Sequence, residues 1–116
     1  MTILNKQAIL AAQDLKSEDV AVPEWGGDVR VRTLTGTERD AFESSLMQDG
    51  GKRDLSNLRA RLLSLAIVDE NGARLFSESD IPLLGGKSAA ALDRLFEVAQ
   101  RLNGIGDKEQ AALAKN

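Results

Sequence analysis

The chain has 116 residues, a formal net charge of −3 and 28% charged residues, which is typical of one soluble globular domain. It contains neither cysteine nor histidine, which excludes disulfides, thiolate nucleophiles, imidazole acid–base catalysis and the usual zinc ligands. No apolar stretch approaches the roughly 20 residues of a membrane span, and mixed charges with 3% aromatic residues disfavour nucleic-acid binding.

The first 17 residues predict a short helix. Asn5 is spaced to cap it, and its loose apolar side consists of Ile9, Leu10, Ala12 and Leu15. No basic leader precedes these apolar residues, so a secretory signal is not indicated, and we expect a cytoplasmic protein.

Residues 19–34 change to the alternating pattern of β-strands. Alternating valines lie on both sides of a Gly-Gly pair, namely Val20, Val22, Val29 and Val31. This pattern predicts a β-hairpin. Pro23 cannot donate a ladder hydrogen bond, so its strand should be an edge strand or carry a bulge. Trp25, at the turn, either closes one end of the core or anchors a partner, because tryptophan is favoured in interface hot spots.

Two further helices are predicted after the hairpin. The first starts at the capping-box spacing of residues 35–38 and ends near Gln48. The second begins at Asp54 or Ser56, and its apolar stripe comprises Leu55, Leu58, Leu62, Leu65 and Ala66.

The basic cluster of the sequence lies at this second helix and comprises Lys52, Arg53, Arg59 and Arg61. An exposed helix face is one explanation for it. The alternative is a site for an acidic or phosphate-bearing partner, because clustered cations attract phosphate.

Residues 67–76 contain an Asn-Gly turn, which predicts a small second hairpin or else a helix end followed by a short strand. Ser77 and Asp80 have the spacing of a cap and its reciprocal acid, ahead of a brief helical turn over residues 78–84. The sequence Gly85-Gly86-Lys87-Ser88 lacks the first glycine of a P-loop, so nucleotide binding is not indicated.

The clearest helix of the sequence begins after Ser88, its predicted cap, and ends before Gly104. Its apolar stripe comprises Leu92, Leu95, Phe96, Ala99 and Leu102. On the opposite face, Glu97 and Arg101 are spaced for an ion pair. The predicted core cluster comprises Leu62, Leu65, Leu95 and Phe96.

Together these elements predict an α+β, mainly α fold with four to five helices, an N-terminal β-hairpin and an optional second short hairpin. Residues 1–104 form a single mainly helical domain, and residues 105–116 form a flexible tail because they offer no wide apolar face. No spacing of acidic, lysine or serine residues indicates a catalytic, metal-binding or cofactor-binding site. We therefore expect a non-enzymatic module without cofactors.

Two stretches of the chain carry a family resemblance. Between Val68 and Gly104, Val-Asp-x-x-Gly-x-x-Leu-Phe is followed by Lys-Ser-x-x-x-Leu-x-Arg-Leu-Phe-x-x-Ala-x-x-Leu-Asn-Gly. In residues 22–43, a hairpin pattern runs into Thr-Gly-x-Glu-Arg-Asp. Over residues 19–104 the chain thus resembles the tail assembly chaperones of long-tailed, non-contractile bacteriophages, the siphophages.

The resemblance implies a non-catalytic chaperone that binds the tape measure protein and promotes assembly of the tail tube around it. It also implies a location in the host cell cytoplasm and absence from the mature virion. It further implies a longer product, made by ribosomal frameshifting, that recruits the tail-tube protein. The codons of Ala114-Lys115-Asn116 can spell the slippery heptamer A-AAA-AAC.

Five residues are candidates for partner contact, namely Trp25, Leu83, Leu84, Arg59 and Arg61. The alternative is that the three apolar members belong to the core. Two other functions stay open: a nucleic-acid-binding regulator that uses the basic cluster, and a structural tail or connector subunit of the virion. The residues do not decide the oligomeric state, and self-association is one option.

Overall fold

A three-stranded antiparallel sheet organises the fold in the computed structural model, which describes residues 2–47 and 49–105. The strands lie in the order β1 (Ser17–Val22), β2 (Gly27–Arg32) and β3 (Ile67–Val68). The α-helices of the described residues are α1 Lys6–Ala11, α2 Gly36–Ser45, α3 Leu58–Ala66, α4 Ile81–Gly85 and α5 Ala89–Leu102. The predicted α+β, mainly α class is therefore confirmed. Among the described helices, none has both the length and the hydropathy needed to cross a membrane.

The N-terminal hairpin is confirmed in the predicted place. β1 and β2 pair so that Val20 lies opposite Val29, and Val22 and Val31 are fully buried on the core side. Pro23 follows directly after β1 and opens a 3-10 turn over Pro23–Trp25. Its missing N–H therefore removes no ladder bond from the strand, which lies at the edge of the sheet.

The predicted second hairpin is reduced to one strand and a single bridge. β3 pairs with β2 through Arg30↔Val68 and Val31↔Ile67, so it extends the first hairpin. The returning chain makes an isolated bridge between Val68 and Arg74. One edge of β3 therefore pairs with β2, which gives a three-stranded sheet in place of a separate two-stranded hairpin, and the other edge meets the returning chain.

The predicted capping box of α2 is present. The N–H of Glu38 donates to Thr35 Oγ1 (3.1 Å), and the N–H of Thr35 donates to Glu38 Oε1 (2.9 Å). The helix ends at Ser45, earlier than the predicted end near Gln48, which lies outside the described residues. Ser45 Oγ donates to the carbonyl of Phe42 (2.6 Å), which satisfies one of the free carbonyls of the last turn.

The start of α3 was predicted wrongly. The helix begins at Leu58, not at Asp54 or Ser56. Asp54 instead accepts hydrogen bonds from the N–H (3.0 Å) and the hydroxyl (2.7 Å) of Ser56, which hold the chain in a local turn. Asn57 then adopts a left-handed conformation with φ of 51°, so a regular helix cannot start before it.

The two C-terminal helices follow the predicted signals. Ser77 and Asp80 form the predicted capping box at a 3-10 turn over Glu78–Asp80, which runs directly into α4. Ser88 caps α5 by accepting from the N–H of Ala91 (3.4 Å). Gly104, with φ of 69°, ends α5 in the left-handed conformation that glycine adopts without strain.

The apolar stripe of α5 forms much of the core. Its first four residues are buried, and Leu102 is half-buried against the same cluster. Of the predicted core residues, Leu62, Leu95 and Phe96 are buried in this cluster, whereas Leu65 is half-buried and packs against it. Ile105, which the sequence assigned to the tail, is also buried. The rest of the predicted tail, residues 106–116, lies outside the described residues.

Several ion pairs and hydrogen bonds connect α5 to the rest of the molecule. Arg94 forms a bidentate pair with Glu24 in the hairpin turn (2.8 and 2.9 Å). Arg101 pairs directly with Glu18 of β1 (2.8 Å), not with Glu97, although the charge of Glu97 also helps to raise the pKa of Arg101. One terminal amino group of Arg101 donates to both carboxylate oxygens of Glu18 (3.0 and 2.8 Å).

Asn103, just beyond α5, makes further contacts. Its Oδ1 accepts from the N–H of Leu34 (2.7 Å), and its Nδ2 donates to the carbonyl of Ala99 (2.8 Å). Arg39 of α2 donates to the Asn103 carbonyl (2.9 Å). The end of α5 is therefore tied to the loop that joins β2 to α2.

Candidate functional site

An apolar groove of about 390 Å³ lies between the hairpin turn and the chain segment that follows β3. Its apolar lining consists of Trp25, Val29, Ile67, Val68, Leu75 and Phe76. Trp25 and Phe76 are half-buried because one side of each ring packs on the core. Leu75 is 54% exposed, although it is a large aliphatic side chain. The groove therefore presents apolar surface that the described residues leave open to water.

The chain segment after β3, which lines one side of the groove, contains the Asn-Gly turn. Asp69 accepts hydrogen bonds from the N–H groups of Asn71 (2.8 Å) and Ala73 (3.0 Å), which closes the turn. Gly72 has φ of 85°, a conformation that a residue with a Cβ rarely adopts. The turn brings Leu75 back alongside β3, where its N–H donates to the carbonyl of Ile67 (3.2 Å).

The rim of the groove is acidic. It carries four carboxylates, from Asp19, Asp28, Asp69 and Glu70, and one guanidinium, from Arg30, which gives a net charge of −3. Arg30 binds Asp19 through two hydrogen bonds (2.7 and 3.0 Å) and also donates to the carbonyl of Glu70 (3.2 Å). The hydrogen bonds from Arg30 lower the pKa of Asp19, and the same pair raises the pKa of Arg30. Asp19 therefore keeps its negative charge at neutral pH.

The second exposed apolar surface is the N-terminal arm, residues 2–16, which contains α1. Asn5 caps α1 as predicted by accepting from the N–H of Ala8 (2.8 Å). None of the α1 residues is buried. Ile3 is 94% exposed and Leu10 is 74% exposed. The large apolar side chains that the arm exposes are Ile3, Leu4, Ile9, Leu10 and Leu15.

The arm joins the body at the open end of the hairpin. The N–H of Lys16 donates to Thr33 Oγ1 (3.0 Å), and the N–H of Thr33 donates to the Lys16 carbonyl (2.8 Å). Beyond this pair, none of the residues that the structure describes buries α1. Sequence reasoning found the apolar side of the helix but gave no sign that it would stay uncovered.

The predicted apolar contact residues do not lie together. Trp25 lines the groove, whereas Leu83, on α4, does not line it. Leu83 is 73% exposed and its neighbour Leu84 is 3% exposed, in the core. Neighbouring residues of a helix point in directions about 100° apart, so one short helix can bury one leucine and expose the next. Sequence reasoning missed Leu75 and Phe76 as groove residues.

Comparison with known proteins adds the family. A model of the family described as phage tail assembly chaperone matches residues 4–115 of this chain. The chain belongs to the phage tail assembly chaperone family. No curated protein matches.

A solved structure supports the fold of this chaperone. The structure of the bacteriophage HK97 tail assembly chaperone superposes with a TM-score of 0.59 and 22% sequence identity. The match covers 76% of this chain and 85% of that chain. At this identity the comparison shows a shared fold. The family membership, in turn, gives the chaperone tail proteins as its class of partner.

Two residues of the predicted basic cluster of the chaperone have partners within the chain. Arg61 donates to the carbonyls of Ser45 (2.6 Å) and Asp54 (2.6 Å) and to that of Ser56, so its guanidinium holds the loop before α3. Arg59 is exposed and pairs with Asp93 of α5. The guanidinium of Arg61 is therefore engaged within the chain, whereas the Arg59–Asp93 pair is exposed and weak.

Proposed function

We propose that this chaperone binds the tape measure protein in the apolar groove and promotes assembly of the tail tube, without catalysing a reaction. The single observation that carries the proposal is the family match over residues 4–115. A tape measure protein is a long chain that the tube later encloses, so its apolar surface must be covered until then. A groove lined by Trp25, Leu75 and Phe76 offers such cover to an apolar helix face.

The charge of the rim supports the same occupant. Four carboxylates against one guanidinium favour a segment in which basic residues flank the apolar ones. Apolar contact at the floor then supplies the affinity, and the acidic rim helps to select the segment. Trp25 is the central anchor in this proposal, since a half-buried indole already ordered by the core loses little freedom on binding.

The test is a pull-down of purified tape measure fragments with the full chain, together with the solubility of those fragments on co-expression. The groove variant Leu75→Asp should weaken capture at least about tenfold, because it puts a charge into the apolar contact. Leu83→Asp is the matched control, since it makes the same exchange at an exposed leucine outside the groove. A loss with Leu83→Asp alone would move the site to α4. Failure of the unmutated chain to bind any fragment would overturn the function.

We further propose that the chaperone acts in the host cell cytoplasm of a siphophage infection and is absent from the mature virion. Mass spectrometry of purified particles tests this against the structural-subunit alternative. Finding the chain there in stoichiometric amounts would favour a tail or connector subunit. Finding it only in the lysate of infected cells supports the chaperone.

We propose, finally, that a longer product made by frameshifting recruits the tail-tube protein. The proposal rests on the family resemblance and on residues 114–116, which lie outside the described residues and whose codons can spell the slippery heptamer. The coding DNA is the test. An AAG codon at Lys115, or no open frame one base back, would remove the longer product and leave the chaperone role intact.

A further inference from the structure

The N-terminal arm has the properties of a segment that needs a partner. α1 has six residues, which is too short for a helix to be stable alone in water. Leu4 and Ile9 occupy the spacing of a hydrophobic staple around the Asn5 cap, so local sequence favours the helix in spite of its length. Five large apolar side chains are nevertheless exposed between residues 3 and 15. Exposed apolar clusters of this kind mark protein contact sites.

The arm does not fill the groove of its own chain in this structure. No arm residue lines the groove. The arm is anchored where Lys16 meets Thr33, next to the Ser17–Arg32 end of the hairpin, whereas Trp25 lies at the other end. Five residue steps separate these ends along β1, which is about 17 Å at 3.3 Å per residue. The apolar arm and the apolar groove therefore stand apart on the same molecule.

The charges of the arm and the groove are complementary. The arm carries Lys6 and Lys16 against Asp14, a net charge of +1, while the groove rim carries −3. The groove combines an apolar lining with charged residues, and the charged residues of the arm lie among its apolar ones. Attraction between opposite charges favours encounter and the correct orientation, and apolar burial then supplies affinity.

We propose that the N-terminal arm of one copy occupies the apolar groove of a second copy, and that the tape measure protein displaces it. The second half rests on the proposed function, whereas the first half stands on the arm and the groove alone. The arm thus covers the binding surface of another copy until the client arrives. An empty groove and a bare arm would otherwise both face water.

The first experiment uses two full-length variants with complementary defects. The double variant I9D/L10D charges the arm, and Leu75→Asp charges the groove. Each should sediment as a monomer, whereas the unmutated chain self-associates at about 100 µM, well above the Kd of a micromolar contact. Mixing the two variants should restore a one-to-one complex, because one intact arm then meets one intact groove.

Controls keep this result interpretable. All substituted residues are exposed, so the circular dichroism spectra and melting temperatures of the isolated variants should match. Leu83→Asp changes an exposed leucine outside both surfaces and should self-associate like the unmutated chain. A monomeric unmutated chain, a mixture without complex, or an arm variant that still associates would each overturn the proposal.

The second experiment measures competition with the client. If about nine-tenths of the grooves are occupied, the apparent affinity for a tape measure fragment falls about tenfold, so I9D/L10D should bind the fragment about tenfold more tightly than the unmutated chain at the same concentration. Weaker binding by I9D/L10D would mean that the arm contacts the client. That result would overturn the proposal that the client displaces the arm. If no variant binds the fragment, the proposed function fails, while the mixing experiment still decides the arm–groove contact.

Discussion

Helices α1 and α5 start with the same kind of cap, but α5 is packed in the core and α1 is exposed. Each starts at a side-chain cap, Asn5 for α1 and Ser88 for α5, and each carries an apolar side. Four residues of the α5 stripe are buried, yet no residue of α1 is. Local sequence therefore sets where a helix forms, whereas burial depends on whether another element of the chain reaches its apolar face.

The comparison also separates two uses of leucine. On α5, leucine side chains hold the sheet and α3 together, so their loss leaves a cavity. On α1, the same side chain meets water, and no described residue buries it. Its value lies in a contact with another molecule, which changes how mutations at the two places should be measured.

The largest expected effect comes from Leu95→Ala, set against Leu10→Ala. Leu95 is fully buried, so truncation should lower the free energy of unfolding by about 2–5 kcal/mol. Leu10 is exposed, and the same change there should stay within about 0.5 kcal/mol. Urea denaturation at low protein concentration measures both. Equal effects would mean that α1 is packed and that the contrast is wrong.

A smaller effect is expected for Asn103→Ala. The change leaves the N–H of Leu34 and the carbonyl of Ala99 without their side-chain partner, which should cost about 1–3 kcal/mol. Gln13→Ala removes an exposed amide side chain from the arm and serves as the matched control. Thermal unfolding compares the two. A melting temperature unchanged by Asn103→Ala would mean that this tie does not hold α5 to the β2–α2 loop.

Removal of the α5 cap should destabilise the fold more than removal of the α1 cap. Ser88→Ala should lower the free energy of unfolding by about 0.5–1 kcal/mol, because α5 unfolds with the body. Asn5→Ala removes a cap of the same kind, but α1 has no buried residue through which to stabilise the body. Its effect should appear only as faster amide exchange at Ala8. A global loss of stability with Asn5→Ala would contradict the independence of the arm.

The smallest effect is expected from pH. The hydrogen bonds from Arg94 lower the pKa of Glu24 from 4.5 to about 2. The folded-state pKa is thus below the unfolded one, so this carboxylate stabilises the fold above pH 4.5 and loses that contribution as the pH falls toward 2. As the pH falls over this range, the melting temperature of Glu24→Gln should fall less than that of the unmutated chain. High salt should shrink the difference, because the pair is exposed. Parallel curves of melting temperature against pH for the two proteins would mean that the Arg94–Glu24 pair does not stabilise the fold.

Sequence reasoning succeeded where the deciding contacts are local. The capping box at Thr35 and Glu38 spans four residues, and its donors and acceptors are set by that spacing. The hairpin around Gly26 and the Gly104 helix end are likewise fixed by short-range conformation. These features needed no knowledge of the rest of the chain.

It failed where the deciding contact is distant or competes with a local one. β3 joined the open edge of β2, more than thirty residues earlier in the chain. Arg101 forms its direct ion pair with Glu18 on the strand and not with Glu97 on its own helix. For the candidate site, Trp25 was predicted. Leu75 was missed because the residues around it in the sequence do not indicate that its side chain stays exposed.

The two hydrogen bonds between Lys16 and Thr33 lie where the exposed arm meets the cooperatively folded body. A ligand raises the melting temperature only if it binds the folded body better than the unfolded chain. The arm has no buried residue, so a ligand that holds the arm alone leaves the unfolding equilibrium of the body unchanged. A ligand in the groove touches residues that pack on the core and must shift it. A thermal-shift assay therefore reports which of the two surfaces a partner has taken.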